Sequence, residues 1–167
     1  MKISCFLMTS ACAAFLLGCR AQPQSPPAQP HRISSQLGLQ VVPLQVRSGG
    51  RTHDFKVEVA ATEEQQATGL MFIESLAPNE GMIFPFPTPR PASFWMKNTM
   101  IPLDMIFVRE DCTIAKIAVN TKPESLEPVG TEEPVEAVFE IAGGRSGELG
   151  IREGGCVTWP GGPAPRT

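Results

Sequence analysis

The densest group of chemistry-bearing side chains lies between Phe94 and Asp104, where a large aromatic, a cation, an amide and a carboxylate stand at Trp95, Lys97, Asn98 and Asp104. Those four types supply what a small-ligand site uses: a stacking face, charge of both signs and directional hydrogen bonds. On an extended strand Trp95 and Lys97 share one face and Asn98 takes the other, so convergence requires a bend, which Pro102 can provide before Asp104. The competing reading is structural, with Lys97 paired to Asp104 or Glu140 and Asn98 tying down a loop.

Other constellations are poorer. His53 is the only His inside the folded part and sits beside Asp54, but no nucleophilic Ser or Cys accompanies it in a known motif. Glu132, Glu133, Glu136 and Glu140 are carboxylates close in sequence, and paired acid/base work needs environments that separate their pKa values, which spacing does not reveal. Met71, Met82, Met96, Met100 and Met105 could offer thioethers to Cu(I). Met71, Met82 and Met105 lie among Phe, Ile and Leu, however, as core-filling methionines do, and no His-rich tract joins them. No metal site and no cofactor is expected.

The chain that must position these groups has 167 residues, enough for one core. Its formal net charge is −3, which leaves no electrostatic footprint for nucleic acid. Fifteen Gly and 17 Pro interrupt helices often and favour a turn-rich, strand-based domain.

Residues 1–18 read as an export signal: Lys2 precedes an apolar run from Ile3 to Leu17 that is shorter than a spanning helix needs. Leu16-Leu17-Gly18-Cys19 resembles the lipobox of bacterial lipoproteins, with Leu17 bulkier than the usual small residue. The resemblance implies that Cys19 becomes the lipidated first residue, anchoring the protein to a membrane, while Arg20 in place of Asp points to the periplasmic side of the outer membrane. Residues 19–38, with Pro23, Pro26, Pro27 and Pro30 among Gln and Ser, read as an extended tether. Once Cys5 and Cys12 leave with the signal and Cys19 is acylated, Cys112 and Cys156 remain. In an oxidising compartment they either bridge or stay as two buried thiols.

The folded domain is placed at residues 39–160, with 161–167 as a tail. Leu39 to Val46, with Pro43 arguing for an edge, and the alternating Phe55, Val57 and Val59 flank the Ser48-Gly49-Gly50 turn and predict a hairpin. Thr62 with Gln65 forms a capping box for a short helix that Gly69 can close. Further strands are predicted at Met82–Phe86, Ser93–Met96, Leu103–Val108, Thr113–Val119, Val135–Ile141 and Cys156–Trp159, and Ala142–Gly150 reads as a loop or single helical turn. The fold class is therefore mainly β: a single compact β-sandwich or barrel-like domain of short strands with one short helix.

Gly69-Leu70-Met71-Phe72, Gly81-Met82-Ile83-Phe84, the run Phe94 to Thr99 and the run Ile101 to Phe107 stand in order, followed by Glu140 to Gly144 and Gly150 to Gly154. Together they resemble the domain of unknown function 192 family. The resemblance implies a mainly-β domain and no assigned reaction. Ile73 and Gly155 depart from it, standing where Arg and Asp are usual, so a charge partnership found elsewhere in the family is expected to be missing. The expected function is an exported, lipid-anchored envelope protein, a non-catalytic module that binds a small molecule or an envelope protein. The alternatives are an envelope hydrolase acting on cell-wall or saccharide substrates and a structural partner-docking protein.

Overall fold

The computed structural model describes residues 38–164. The signal, Cys19, all but the last residue of the tether, and residues 165–167 lie outside them. The elements are β1 (Gln40–Ser48), β2 (Arg51–Val59), α1 (Glu63–Thr68), β3 (Glu80–Phe94), β4 (Leu103–Val108), β5 (Ile114–Ala118), β6 (Val129–Ala142), α2 (Arg145–Leu149) and β7 (Cys156–Thr158). All seven strands join one curled sheet in the order β5-β4-β6-β3-β2-β1-β7, the barrel-like alternative to two facing sheets. None of the helices described is long and apolar enough to cross a membrane.

The β1–β2 hairpin follows from its turn. Ser48 pairs with Arg51, and Gly49 and Gly50 between them both take positive φ, 58° and 75°, which a two-residue turn matched to strand twist requires. β1 is not wholly an edge strand, since β7 pairs with Gln45–Arg47 on its outer side. Pro43 lies beyond the reach of β7, in the stretch of β1 that has only β2 as a neighbour.

Prolines also explain where the predicted strands and the observed ones differ. Met82–Phe86 and Ser93–Met96 belong to one continuous strand, β3, whose pairing with β6 shifts register between Pro85 and Arg90 and again before Ala92. Pro85, Pro87, Pro89 and Pro91 cannot donate to a ladder, so this stretch pairs discontinuously, while β2 pairs with β3 only at Glu80–Ile83. β3 ends at Phe94, and residues 95–99 form a turn instead of the expected extension to Met96. β6 begins at Val129, earlier than its apolar half predicted, and the Gly-rich segment after it holds a second short helix, α2. α1 carries its capping box: the Gln65 N–H donates to Thr62 Oγ1 at 3.2 Å and the Thr62 N–H to Gln65 Oε1 at 3.0 Å.

Apolar packing divides by sheet face. One set draws on all seven strands, with Leu44, Val57, Ile83, Ile106, Ile114, Phe139 and Val157 filling the inside of the curl. The other centres on the outer face of β3, β4 and β6, where Met82, Phe84, Met105, Phe107 and Val138 meet Leu70, Ile73 and Met96 from the connecting segments. Every residue of β4 is consequently buried. Gly81 lets β3 and β6 close up, since a Cβ there would stand 2.4 Å from the Glu140 carbonyl oxygen and 2.8 Å from the Phe139 ring.

β7 brings the far edge of the sheet back against the β4–β5 turn. Thr113 bridges to Cys156, the Ile114 N–H donates to Gly155 O at 2.7 Å and the Val157 N–H to Cys112 O at 2.8 Å. A disulfide joins Cys112 to Cys156 across that seam, with the Cα atoms 4.9 Å apart and a sequence separation of 44. Closing a loop of that length stabilises by about 4 kcal/mol in the chain-entropy account. Reduction should therefore lower the urea midpoint markedly, and a Cys112→Ala/Cys156→Ala variant should show the lower midpoint with or without reductant; a midpoint insensitive to both contradicts the stapled seam.

Candidate functional site

On the outer face of the sheet, the Gln66–Met71 segment, the end of β3 and residues 126–128 enclose a groove of about 410 Å³. Its walls are tied by named bonds. Gln66 Nε2 donates to Ala60 O at 3.1 Å and to Pro85 O at 2.9 Å, holding α1 on β3. The Phe72 N–H donates to Asn98 O and the Met96 N–H to Ser125 O, each at 2.9 Å, joining three connecting segments. Phe84 packs edge-on against Phe94 with ring centres 5.2 Å apart.

Trp95 stands on the rim, 54% exposed. The Lys97 ammonium lies 5.4 Å from its ring centre, a cation over an aromatic face, produced by the turn at 97–98 and not by strand alternation. Asn98 has positive φ (54°), tolerated by an Asn, and its Nδ2 reaches Met71 Sδ at 3.8 Å. Arg90 lines the same groove with its guanidinium 3.9 Å from the Phe86 ring centre.

At the bottom is Glu140. It faces the outer side of β6 between Met82 of β3 and Met105 of β4, its direct cross-strand neighbours. Only 4% of it is exposed, it lines the groove, and its carboxyl has no hydrogen-bonding partner among the described residues. Burial pushes this carboxyl up to about 8 from 4.5. At neutral pH it is therefore mostly protonated, a hydrogen-bond donor at the base of an apolar groove.

Asp104 does not join this group. Its strand position pairs with Ile141, so it points to the opposite face of the sheet from Glu140. It is fully buried and accepts four hydrogen bonds: Asn120 N–H at 2.7 Å and Gly144 N–H at 2.8 Å on Oδ1, Ser146 N–H at 2.8 Å and Ser146 Oγ at 2.6 Å on Oδ2. It caps the start of α2 from another strand, the work that a helix's own N-cap side chain usually does. The expected constellation thus separates: Trp95 is on the groove, Lys97 and Asn98 lie beside it, and Asp104 holds the fold. Neither Asp104 nor Glu140 pairs with Lys97, whose charge sits over Trp95.

In the sequence Glu140 stands among acids of unknown environment and as one of two partners for Lys97, and neither reading places it in a groove. The available signal was its place in Ala137-Val138-Phe139-Glu140-Ile141, a strand apolar on both faces where one carboxyl interrupts the pattern. Met82, Met96 and Met105 are fully buried core residues, and only Met71 of the methionines on the groove is partly open. His53 is half-buried with an unpartnered Nε2, while Asp54 accepts from Gln45 Nε2 at 2.9 Å. Ile73, one of the two unusual positions, is buried in the outer core.

A curled, barrel-like β domain with one apolar groove on its outer face is the class that fold and site define. The chain belongs to the DUF192 family, described as Uncharacterized ACR, whose model matches residues 44–159. It is similar to a crystal structure from Sinorhizobium meliloti, provisionally described as a transcription regulator, with 38% identity, a TM-score of 0.72 and coverage of 74% of this chain and 96% of that one. It is likewise similar to a protein of unknown function from Novosphingobium aromaticivorans, with 44% identity, a TM-score of 0.73 and coverage of 80% and 94%. No curated protein matches the chain.

Two expected outcomes follow from this geometry. Trp95→Ala should cost less than about 1 kcal/mol in urea denaturation because the ring is half exposed, whereas Asp104→Ala should cost about 3 kcal/mol by removing the acceptor of three N–H groups and of the buried Ser146 hydroxyl. Equal effects would reverse the assignment. Glu140 makes stability depend on pH: the folded state keeps a proton that the unfolded chain releases near 4.5, so its contribution is complete below that and is lost as pH rises to about 8. Thermal melting from pH 5 to 9 should show that loss, on the order of a few kcal/mol, and Glu140→Gln should flatten it.

Proposed function

We propose that the domain is a non-catalytic binding module of the bacterial cell envelope, anchored through lipidated Cys19, whose groove takes a small molecule with an apolar body and an oxygen acceptor. The observation that carries this reading is the unpartnered Glu140 carboxyl at the base of the groove. The carboxyl opens onto the groove with no hydrogen-bond partner from the protein, so a ligand oxygen that accepts its proton adds a directional bond in otherwise apolar surroundings. Phe84, Leu70 and Met71 supply apolar wall, and Trp95 offers an exposed face on which a ring or sugar can stack.

The hydrolase alternative has less support. Glycoside hydrolysis in its common form uses two carboxyls flanking the bond, and the groove lining has one, the other buried carboxyl nearby being on the far side of the sheet. Neither His nor Cys is among the lining residues. The partner-docking alternative would need a flat apolar patch, whereas the exposed Trp95 and Leu126 line a concave opening.

The test is a screen of uncharged aromatic and saccharide fragments against the full chain carrying labelled Met methyl groups. Hits should shift Met71 and Met96, survive Glu140→Gln, which keeps a donor, and weaken about tenfold or more in Glu140→Leu. Hits equally strong in Glu140→Leu and Trp95→Ala would overturn the reading. The mass of the mature chain tests the anchor: it should begin at an acylated Cys19, and an unmodified start elsewhere would remove the lipid attachment.

A further inference from the structure

Away from the groove, a second hollow of about 480 Å³ opens where the β1–β2 turn meets the loop before β7. Arg47, Arg51 and Arg152 line it, each from a different segment, together with Gly49, Gly50, Gly154 and Gly155. The segments are locked to one another: Ser48 Oγ accepts the Arg152 N–H at 3.0 Å and donates to Gly150 O at 3.3 Å. Gly155 permits the approach, since a Cβ there would stand 3.0 Å from the carbonyl oxygens of both Arg47 and Arg152. At Gly49, Gly50 and Gly154 an added Cβ would meet nothing within 4 Å, so these glycines border open space beside the three arginines.

None of the three arginines is ion-paired among the described residues. Arg47 Nη2 lies 3.6 Å from Cys156 Sγ, a weak contact that leaves its other donors open. Glu153 also lines the hollow, but its carboxylate accepts the Ile117 N–H at 3.3 Å. A chain of net charge −3 therefore gathers three unpaired cations and one carboxylate at this spot.

We propose that this hollow binds a compact phosphate-bearing anion, specifically a soluble diphosphate group. A single carboxylate presents two oxygens and is satisfied by one guanidinium fork, whereas three forks around one cavity match the larger set of acceptor oxygens that two linked phosphates carry. Phosphate also brings more charge per group, which offsets the mutual repulsion of three nearby cations. A phospholipid headgroup shares the phosphate chemistry, and vesicles distinguish it from the free anion.

Isothermal titration of the full chain with sodium pyrophosphate at low ionic strength should give saturable one-site binding that weakens as salt is added. Arg47→Gln and Arg152→Gln should each weaken it on the order of tenfold or more, with unchanged thermal melting. Arg109→Gln removes a cation that is already engaged with Glu133 and should leave the affinity unchanged. Absence of saturable heat, or equal weakening in Arg109→Gln, would overturn the site. A Cys19→Ser chain, lacking the acyl anchor, should bind pyrophosphate normally and should not sediment with phosphatidylglycerol vesicles. Sedimentation that depends on the three arginines, without pyrophosphate binding, would assign the hollow to a membrane headgroup and refute the diphosphate.

Discussion

β4 and the stretches Gly81–Phe84 of β3 and Ala137–Ile141 of β6 are covered on both faces, and every polar side chain placed in them must be satisfied inside the protein or open onto a cavity. Two carboxyls show the two outcomes. Asp104 and Glu140 sit on directly paired strands, one residue apart in register, and so point to opposite faces. Asp104 meets the Asn120 turn and the start of α2, which provide four donors. Glu140 meets Met82 and Met105, which provide none. A carboxyl in that position holds its proton well above the ordinary range and faces the groove.

The rest of the architecture keeps that asymmetry in place. Curling the sheet puts aliphatic residues of all seven strands inside, so the outer face of β3, β4 and β6 has to be covered by connecting segments. Those segments are short and turn-rich, and they cover the face incompletely, leaving the groove between α1, the end of β3 and residues 126–128. The seam at Cys112–Cys156 fixes the curl at the other side, and the same seam seats the loop that carries Arg152 against the hairpin that carries Arg47 and Arg51. Each of the two concavities thus arises from chain connections laid against a curled sheet.

Much of the fold was legible because it depends on local chemistry. The Gly49-Gly50 hairpin turn, the Thr62/Gln65 cap and the apolar stretch of β4 each announce themselves within a few residues. The continuity of β3 was not legible, because its four prolines look like strand ends, while β6 alongside supports the strand through two register shifts. The site was legible by half. Trp95 and Lys97 associate as their i, i+2 spacing predicts, though on a turn and not a strand, and Asp104 is drawn away by partners more than 15 positions distant in sequence. Glu140 is a carboxyl whose meaning depends on which strands flank it and on what covers them, which only tertiary structure decides.

The most direct measurement is a carbon-13 titration of the Glu140 side-chain carboxyl in the unliganded, folded chain, assigned by comparison with Glu140→Gln. The account expects a midpoint near 8, far above the other glutamates, and a chemical shift typical of the protonated acid at pH 6. A midpoint near 4.5 would mean that water or a partner already satisfies the carboxyl, and it would remove the protonated donor on which the proposed binding role of the groove rests.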